Sequence, residues 1–304
     1  MNFILISDPH ITSRIPRGRI GDPLKDAKAK LKFIFDLSLR LRNAPIICAG
    51  DLFDTPRDIT ALFTFLTLKN KYPKTLFFTV YGQHDLYFRN KNVVTNIGIL
   101  EKTNSAIVLG KKPYKLKGVN LYGCSWREDI PKVKESKETN ILSIHAPVYL
   151  NALFPGHSFI RLKEFRRKVK DFNLTICGDI HRNFMEKKKG KIVCNTGPLM
   201  RLESSDFMRK HNPRVYVYNS SSEIGEVEIP CKPWFEVLRK NINKDAKEKE
   251  EKNIGDMFEM PNLDNMSVVE IIHELIEKSS NPKKVYKLLS KTIGNAFHEF
   301  VPKG

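Results

Sequence analysis

The sequence predicts an α/β fold built on parallel strands. Three observations carry that expectation. Short apolar runs of β-type alternate with amphipathic helical stretches, the opening order is β-α-β-α-β, and polar residues with ligating side chains follow the apolar runs directly. Residues 2–7 read as a strand, and a helix from about Leu24 to Leu41 carries Leu31, Ile34, Phe35, Leu37, Leu39 and Leu41. A strand follows at 45–49. Thr55-Pro56 supplies an N-cap with proline at the first turn, opening a helix to about Asn70. Leu76–Val80 is the next strand. This order calls for crossover helices between parallel strands, and in such sheets ligands gather beyond the carboxyl ends.

The middle of the chain is richer in strands, with runs at 106–109, 114–124, 140–145, 173–177, 191–194 and 214–219. Lys187–Lys191 around Gly190 reads as a hairpin tip. A four-layer α/β/β/α sandwich accommodates these elements. The character changes near residue 232. A charged tract from Lys244 to Lys252 precedes two expected helices. Ser267 and Glu270 form a capping box ahead of Val268, Ile272, Leu275 and Ile276. Asn281-Pro282 opens the second helix, with Val285, Leu289, Ile293, Ala296 and Phe300 on one face. The expected domains are therefore 1–230 and a small helical region, 231–304.

A chain of 304 residues can bury a core without disulfide staples, and 41% hydrophobic with 28% charged residues is ordinary for a globular protein. The net charge of +18 is not ordinary. It points to a polyanionic partner, or to a lysine-rich proteome. The five cysteines lie mostly in apolar runs, and no pair has C-x-x-C spacing, so they read as buried free thiols rather than zinc ligands. Asn2–Ile6 is too short and lacks the basic start of a signal peptide, and no apolar stretch is long enough for a membrane span. An intracellular, cytoplasmic protein is expected.

Five short motifs stand where strands end. They are Asp8-Pro9-His10, Gly50-Asp51-Leu52-Phe53-Asp54, Gly82-Gln83-His84-Asp85, His145 in Ser143–Pro147, and Gly178-Asp179-Ile180-His181. Singly each is weak, since an Asp after a strand is usually a turn or cap residue. In series they match a physical need. Two divalent cations about 3.5–4 Å apart clamp a phosphoester, generate hydroxide and stabilise the charge of the transferring group. They require rigid donors and an anionic bridge, which strand ends supply. The glycines before Asp51, Gln83 and Asp179 permit sharp turns and close backbone approach.

Over residues 1–220 this series resembles the calcineurin-like metallophosphoesterase superfamily, whose pattern is Asp-x-His, Gly-Asp-x-x-Asp, Gly-Asn-His-Asp, His, Gly-His-x-His. Ala49–Thr55 looks most like the SbcD type, a nuclease subunit of double-strand-break repair with phage recombination counterparts. Asn195–Arg201 and Pro213–Tyr218 also resemble phage-type members. The resemblance implies that Asp8, His10 and His181 hold one metal, that Gln83, His145 and Asp179 hold a second, and that Asp51 bridges them. It implies that His84 contacts the scissile phosphate and assists the leaving oxygen, with Asp85 orienting it. Two departures stand out: Gln83 replaces the family asparagine and Asp179 the first histidine of the last motif. Both remain suited to hard cations. The implied activity is a manganese-dependent DNA nuclease (magnesium being the second choice), paired with a coiled-coil ATPase of SbcC type, with a homodimer as a further option. The implied location is the cytoplasm, the host's if phage-encoded. The alternative is a phosphoesterase for a small nucleotide or a phosphoprotein.

Other residues admit a functional and a bland reading. Asp54 reads as part of the cap near Pro56 rather than the site, and Asn195–Arg201 as a turn closing the sheet. His157 reads as solvated. Tyr87 and Phe88 either stack on a base or pack under their loop. Arg14, Arg17 and Arg19 follow the first ligands and are expected on the DNA backbone. Arg166, Arg167 and Lys168 lie in a basic cluster that is either a solvated helix face or a DNA patch, and the latter is favoured.

Overall fold

The computed structural model describes residues 1–88, 90, 93–133, 137–153 and 158–239. The expected helices beyond residue 240, and His157, lie outside these residues. In chain order the described elements are β1 (Asn2–Ile6), α1 (Pro23–Arg40), β2 (Ile46–Cys48), α2 (Ile59–Lys69), β3 (Phe77–Thr79), α3 (Asn96–Lys102) and β4 (Ile107–Val108). Then come β5 (Tyr114–Leu116), β6 (Val119–Cys124), β7 (Thr139–His145), β8 (Val148–Tyr149), β9 (Ile160–Arg161), α4 (Leu162–Lys168) and β10 (Leu174–Gly178). The last are β11 (Phe184–Lys188), β12 (Lys191–Asn195), α5 (Asp206–Lys210), β13 (Arg214–Asn219), β14 (Ile224–Glu228) and α6 (Trp234–Val237).

Two six-stranded sheets result, ordered β14-β13-β1-β2-β3-β4 and β11-β12-β10-β7-β6-β5. Within the first, β1 to β4 run parallel, as do β6, β7, β10 and β12 within the second. Strand β1 shows why they stack. Ile4 and Ile6 join the core beneath α1 and α2, while Phe3 and Leu5 join Ile141, Leu174 and Ile176 of the second sheet. A strand with two apolar faces belongs between two layers. The outer face of the second sheet is covered by α4 through Leu162 and Phe165, against Leu142, Ile144 and Cys177. The layers are thus α/β/β/α.

Local chemistry explains two boundaries. Helix α2 starts at Ile59, capped by Asp58, not at Pro56 behind Thr55. The Asp58 carboxylate accepts the Ala61 amide at 3.0 Å and also the Ser13 amide at 2.7 Å, so one residue caps the helix and anchors the loop after β1. The apolar run 114–124 divides at Lys117-Gly118, both at positive φ (45° and 80°), into the antiparallel pair β5–β6. Lys189 and Gly190 likewise turn the β11–β12 hairpin at φ 50° and 73°. Cys48, Cys124, Cys177 and Cys194 are buried and Cys231 is half-buried; all five are free. Near the end of the described residues Val237 and Leu238 pack on Met208. Among the described residues no helix is long and apolar enough to cross a membrane.

Candidate metal centre

The carboxyl ends of β1, β2 and β3 meet those of β7 and β10, so the ligating loops of both sheets converge. The floor is buried: Asp8, Asp51, His10 and His145 are each no more than 1% exposed. Gln83, Asp179 and His181 form a half-buried rim, and His84 is exposed. Ligating atoms of Asp8, His10 and His181 cluster within 4.8 Å, as do those of Asp8, Asp51 and His145. The His10 and His181 Nε2 atoms are 3.0 Å apart. That spacing would let both nitrogens reach one cation.

On the other side, His145 Nε2 lies 2.7 Å from Gln83 Oε1, 3.5 Å from Asp51 Oδ2 and 3.8 Å from Asp179 Oδ1. Its Nδ1 is 2.7 Å from the Ala49 carbonyl, so Nδ1–H donates there and Nε2 is left facing the cluster. Gln83 Nε2 donates to Asp179 Oδ1 at 2.7 Å. The two residues that depart from the family pattern therefore touch one another, and each keeps an oxygen toward the site.

Backbone shape is part of the construction. Asp8, His10, Asp51 and Asp179 all occupy positive φ, at 48°, 44°, 47° and 93°. Such conformations are costly for residues with a Cβ and persist where surrounding contacts enforce them. Glycines make room around them. A Cβ on Gly82 would strike the Asp51 carboxylate, and one on Gly50 would lie 2.5 Å from His145 Nδ1. Asp51 Oδ1 in turn accepts the His84 amide at 2.9 Å, and Asp8 Oδ1 accepts the Asp179 amide at 2.9 Å.

The remaining oxygens, Asp8 Oδ2 and Asp51 Oδ2, are buried and accept no hydrogen bond. Buried carboxylate oxygens require a donor or a cation. This pair, ringed by imidazole nitrogens and an amide oxygen, fits divalent cations. Burial pushes the Asp8 carboxyl up to about 6 despite nearby His145. Burial also opposes ionisation of Asp51, yet His145 and His10 hold it well below the usual carboxylate range. Burial works against charge on His145, but Asp51, Asp8 and Asp179 outweigh it and raise the imidazole to about 10. Burial and neighbouring His10 push His181 down to about 3. Divalent cations held by these donors would supply Lewis-acid activation of a phosphoryl group and of water.

Several expected roles are corrected. Asp85 does not orient His84. Its buried carboxylate accepts the Gly82, Phe53 and Leu52 amides at 3.0, 3.1 and 3.3 Å, tying the loop after β2 to the loop after β3. The His84 ring is held instead by Asp54, whose carbonyl is 2.9 Å from Nδ1. Asp54 is not the cap of α2; its carboxylate lies 3.3 Å from His10 Nδ1, where it can fix the ring of that candidate ligand. Arg19 is not available to a DNA backbone. It is 1% exposed, bonded to the Arg201 carbonyl and paired with Asp26 at 2.5 Å. Arg14 and Arg17 are exposed, as are Arg167 and Lys168. Arg166 is half-buried, bonded to carbonyls of Glu186, Lys188 and Lys191 and to the Glu186 carboxylate, so it pins the β11–β12 hairpin.

Asn195 was read as part of a turn, and it does more than that. It accepts Ser7 Oγ at 2.8 Å and the Gly197 amide at 2.7 Å, and donates to the Ile180 carbonyl at 2.8 Å. It thereby locks the Asp179–His181 loop to the end of β1. Asn-Thr-Gly after a strand was the available sequence pattern, but only the pairing of β1 with this turn gives it meaning.

A sandwich of two mixed sheets, with Asp, His and amide donors at the joined carboxyl ends of their parallel strands, defines a metal-dependent phosphoesterase. The calcineurin-like phosphoesterase family matches residues 1–184, and the chain belongs to it. The DNA double-strand break repair protein Mre11 of Saccharolobus solfataricus is 24% identical over 265 residues, covering 81% of this chain and 68% of that protein. Among solved structures, an archaeal phosphodiesterase is similar at 12% identity and TM-score 0.42, covering 75% of this chain and 100% of its own. The NAD nucleotidase of Haemophilus influenzae is similar at 13% identity and TM-score 0.42, covering 98% of this chain and 60% of its own.

Proposed function

We propose that this chain is a metal-dependent DNA phosphodiesterase of the SbcD and Mre11 type. The observation that carries DNA as substrate is the basic ground around α4. A cavity of about 620 Å³ begins at His145 and is lined by Trp126, Arg127 and Lys168, with Glu128 and Asp129 sharing its wall. Across the same helix, Lys163, Arg166, Arg167 and Lys170 join Lys188, Lys189 and Lys191 around a second cavity of about 900 Å³. Basic charge thus extends well beyond the space that a single nucleotide fills, as expected for a partner with a repeating phosphate backbone. Phe88, 85% exposed and four residues from His84, offers a face on which a base can stack.

In this reading Asp8, His10, Asp51 and His181 hold one cation and Asp51, Gln83, His145 and Asp179 the other. Three carboxylates and an amide oxygen favour manganese or magnesium over softer ions. His84 stands at the rim with Nδ1 engaged by Asp54, so its Nε2 faces the substrate side and can deliver a proton to the leaving oxygen. The distant Mre11 similarity makes an SbcC-type ATPase the partner to test.

The deciding experiment incubates the purified protein with linear and circular DNA, with and without manganese, beside mononucleotides and a phosphopeptide. Manganese-dependent shortening or nicking of DNA is the expected result. Turnover confined to mononucleotides or to the phosphopeptide would replace this reading with the small-substrate or phosphoprotein alternative.

A further inference from the structure

A smaller cavity, of about 330 Å³ and edged by basic side chains, lies between α1, the chain after Leu199 and the stretch that enters α6. Its lining includes Arg19, Lys30, Arg201 and Lys232, and Asp26 is the one carboxylate among the lining residues. We propose that this cavity binds a small phosphate-type oxyanion, at a site separate from the metal centre.

The first argument is charge. Arg19, Lys30 and Arg201 are 1%, 6% and 4% exposed, whereas such side chains are almost never buried unless paired. Asp26 is shared: one oxygen meets Arg19 and the other lies 3.0 Å from Lys232 Nζ. That leaves Lys30 and Arg201 with no acidic partner among the described ion pairs. Burial pushes the Lys30 ammonium down to about 7; Cys231 and Asp26 oppose the shift, and Arg19 and Arg201 add to it. The cavity is thus lined by four cationic side chains and one carboxylate.

The second argument is hydrogen bonding. Arg19 Nε is buried and has no acceptor. Lys30 Nζ has one oxygen acceptor, the Leu199 carbonyl at 2.7 Å, and a weaker contact with Met200 Sδ at 3.7 Å, for three hydrogens. Arg201 is fixed by carbonyls of His211 and Lys232 at 2.8 and 2.7 Å and, more weakly, by Asn212 Oδ1 at 3.3 Å, so its charge is held in place and the unfilled donors are those of Arg19 and Lys30. Fixed guanidinium and ammonium donors with unfilled capacity around one cavity match the several acceptor oxygens of a phosphate. The cavity is roughly ten times the ~30 Å³ share of one water in the liquid, so phosphate fits, alone or as the head of a mononucleotide.

The test is calorimetric titration of the full chain with inorganic phosphate at pH 6.5, where Lys30 is charged, in the presence of chelator. Chelation keeps the metal centre, which itself attracts phosphate, out of the measurement. One saturable site is expected, weakened at least tenfold by Lys30→Met and by Lys232→Met, and unchanged by Asp51→Asn. Lys232 is about half exposed, so its variant should fold even if the Lys30 variant does not. Absence of binding, or binding that ignores both lysine changes, or binding lost with Asp51→Asn, would overturn the proposal. Deoxyadenosine monophosphate and deoxyadenosine distinguish the source. Tighter binding of the nucleotide than of phosphate, with none by the nucleoside, assigns a mononucleotide; equal binding of nucleotide and phosphate assigns the free ion.

Discussion

Replacing Asp85 separates two roles that the sequence alone confuses. If Asp85 oriented His84, its loss would slow catalysis and leave stability untouched. The structure gives the opposite outcome. The carboxylate is 1% exposed and accepts three backbone amides, those of Leu52 and Gly82 on Oδ2 and that of Phe53 on Oδ1. Each buried donor stripped of its acceptor costs about 1–3 kcal/mol. Asp85→Ala strands all three and should cost roughly 3–9 kcal/mol, a large share of the ~5–15 kcal/mol that holds a domain together. Asp85→Asn keeps one oxygen, best placed on the Leu52 and Gly82 side, and strands the Phe53 amide at about 1–3 kcal/mol. Denaturant unfolding at pH 8 measures both, as shifts in midpoint at constant slope. That pH lies above the value of about 7 to which burial and neighbouring Asp51 push the Asp85 carboxyl. Midpoints matching wild type in both variants, with a slower reaction, would refute the clamp and restore the orienting role.

Four further outcomes follow from the same geometry. Burial raises Asp8 to about 6 and Asp85 to about 7, so these carboxyls lose stability as pH rises from about 4 to 7, while His181 and His211, pushed by burial down to about 3 and 4, gain it over the same range; the chelated protein should therefore vary little, and divalent cations should raise the melting temperature more at pH 7 than at pH 5. His145, raised to about 10, carries a proton at neutral pH that ligation must displace, so metal uptake should release protons and tighten with rising pH, as calorimetry in buffers of different ionisation enthalpy will show. His84→Ala should slow hydrolysis by about 10²–10⁴ with metal stoichiometry unchanged; a lost metal would make His84 a ligand. Arg167→Ala with Lys168→Ala should flatten the salt dependence of DNA affinity at constant stability, whereas Arg166→Ala should destabilise the hairpin it pins.

The first sheet was legible because its strands are short, apolar and punctuated by glycine and ligating residues, and the expected bounds of β1, α1 and β2 fall within a residue or two of those observed. The order of loops along the chain likewise put Asp8, His10, Asp51, Gln83, His145, Asp179 and His181 in one place. What the sequence hid depends on direction in space. Asp54 and Asp85 stand on either side of ligand loops, and nothing in their spacing says which faces His84 and which turns inward to amides. Arg19 lies in a loop of exposed arginines, yet the return of Arg201 and the position of Asp26 draw it inside. The cap of α2 moved to Asp58 because a contact with Ser13, 45 residues away in the chain, adds to the local preference.

The buried cysteines give the protein internal clocks. Cys48 ends β2 three residues before Asp51, and Cys177 sits in β10 two residues before Asp179. Both are fully buried, and burial pushes both thiols well above their ordinary range. A thiol reagent can react with them only when the strand end that carries a candidate metal ligand opens. With Cys231, the one half-buried thiol, replaced by serine, the labelling rates of Cys48 and Cys177 report the opening of each sheet's contribution separately. Metal that spans both sheets should slow the two together, so the chain carries its own readout of whether the two halves of the centre are held as one.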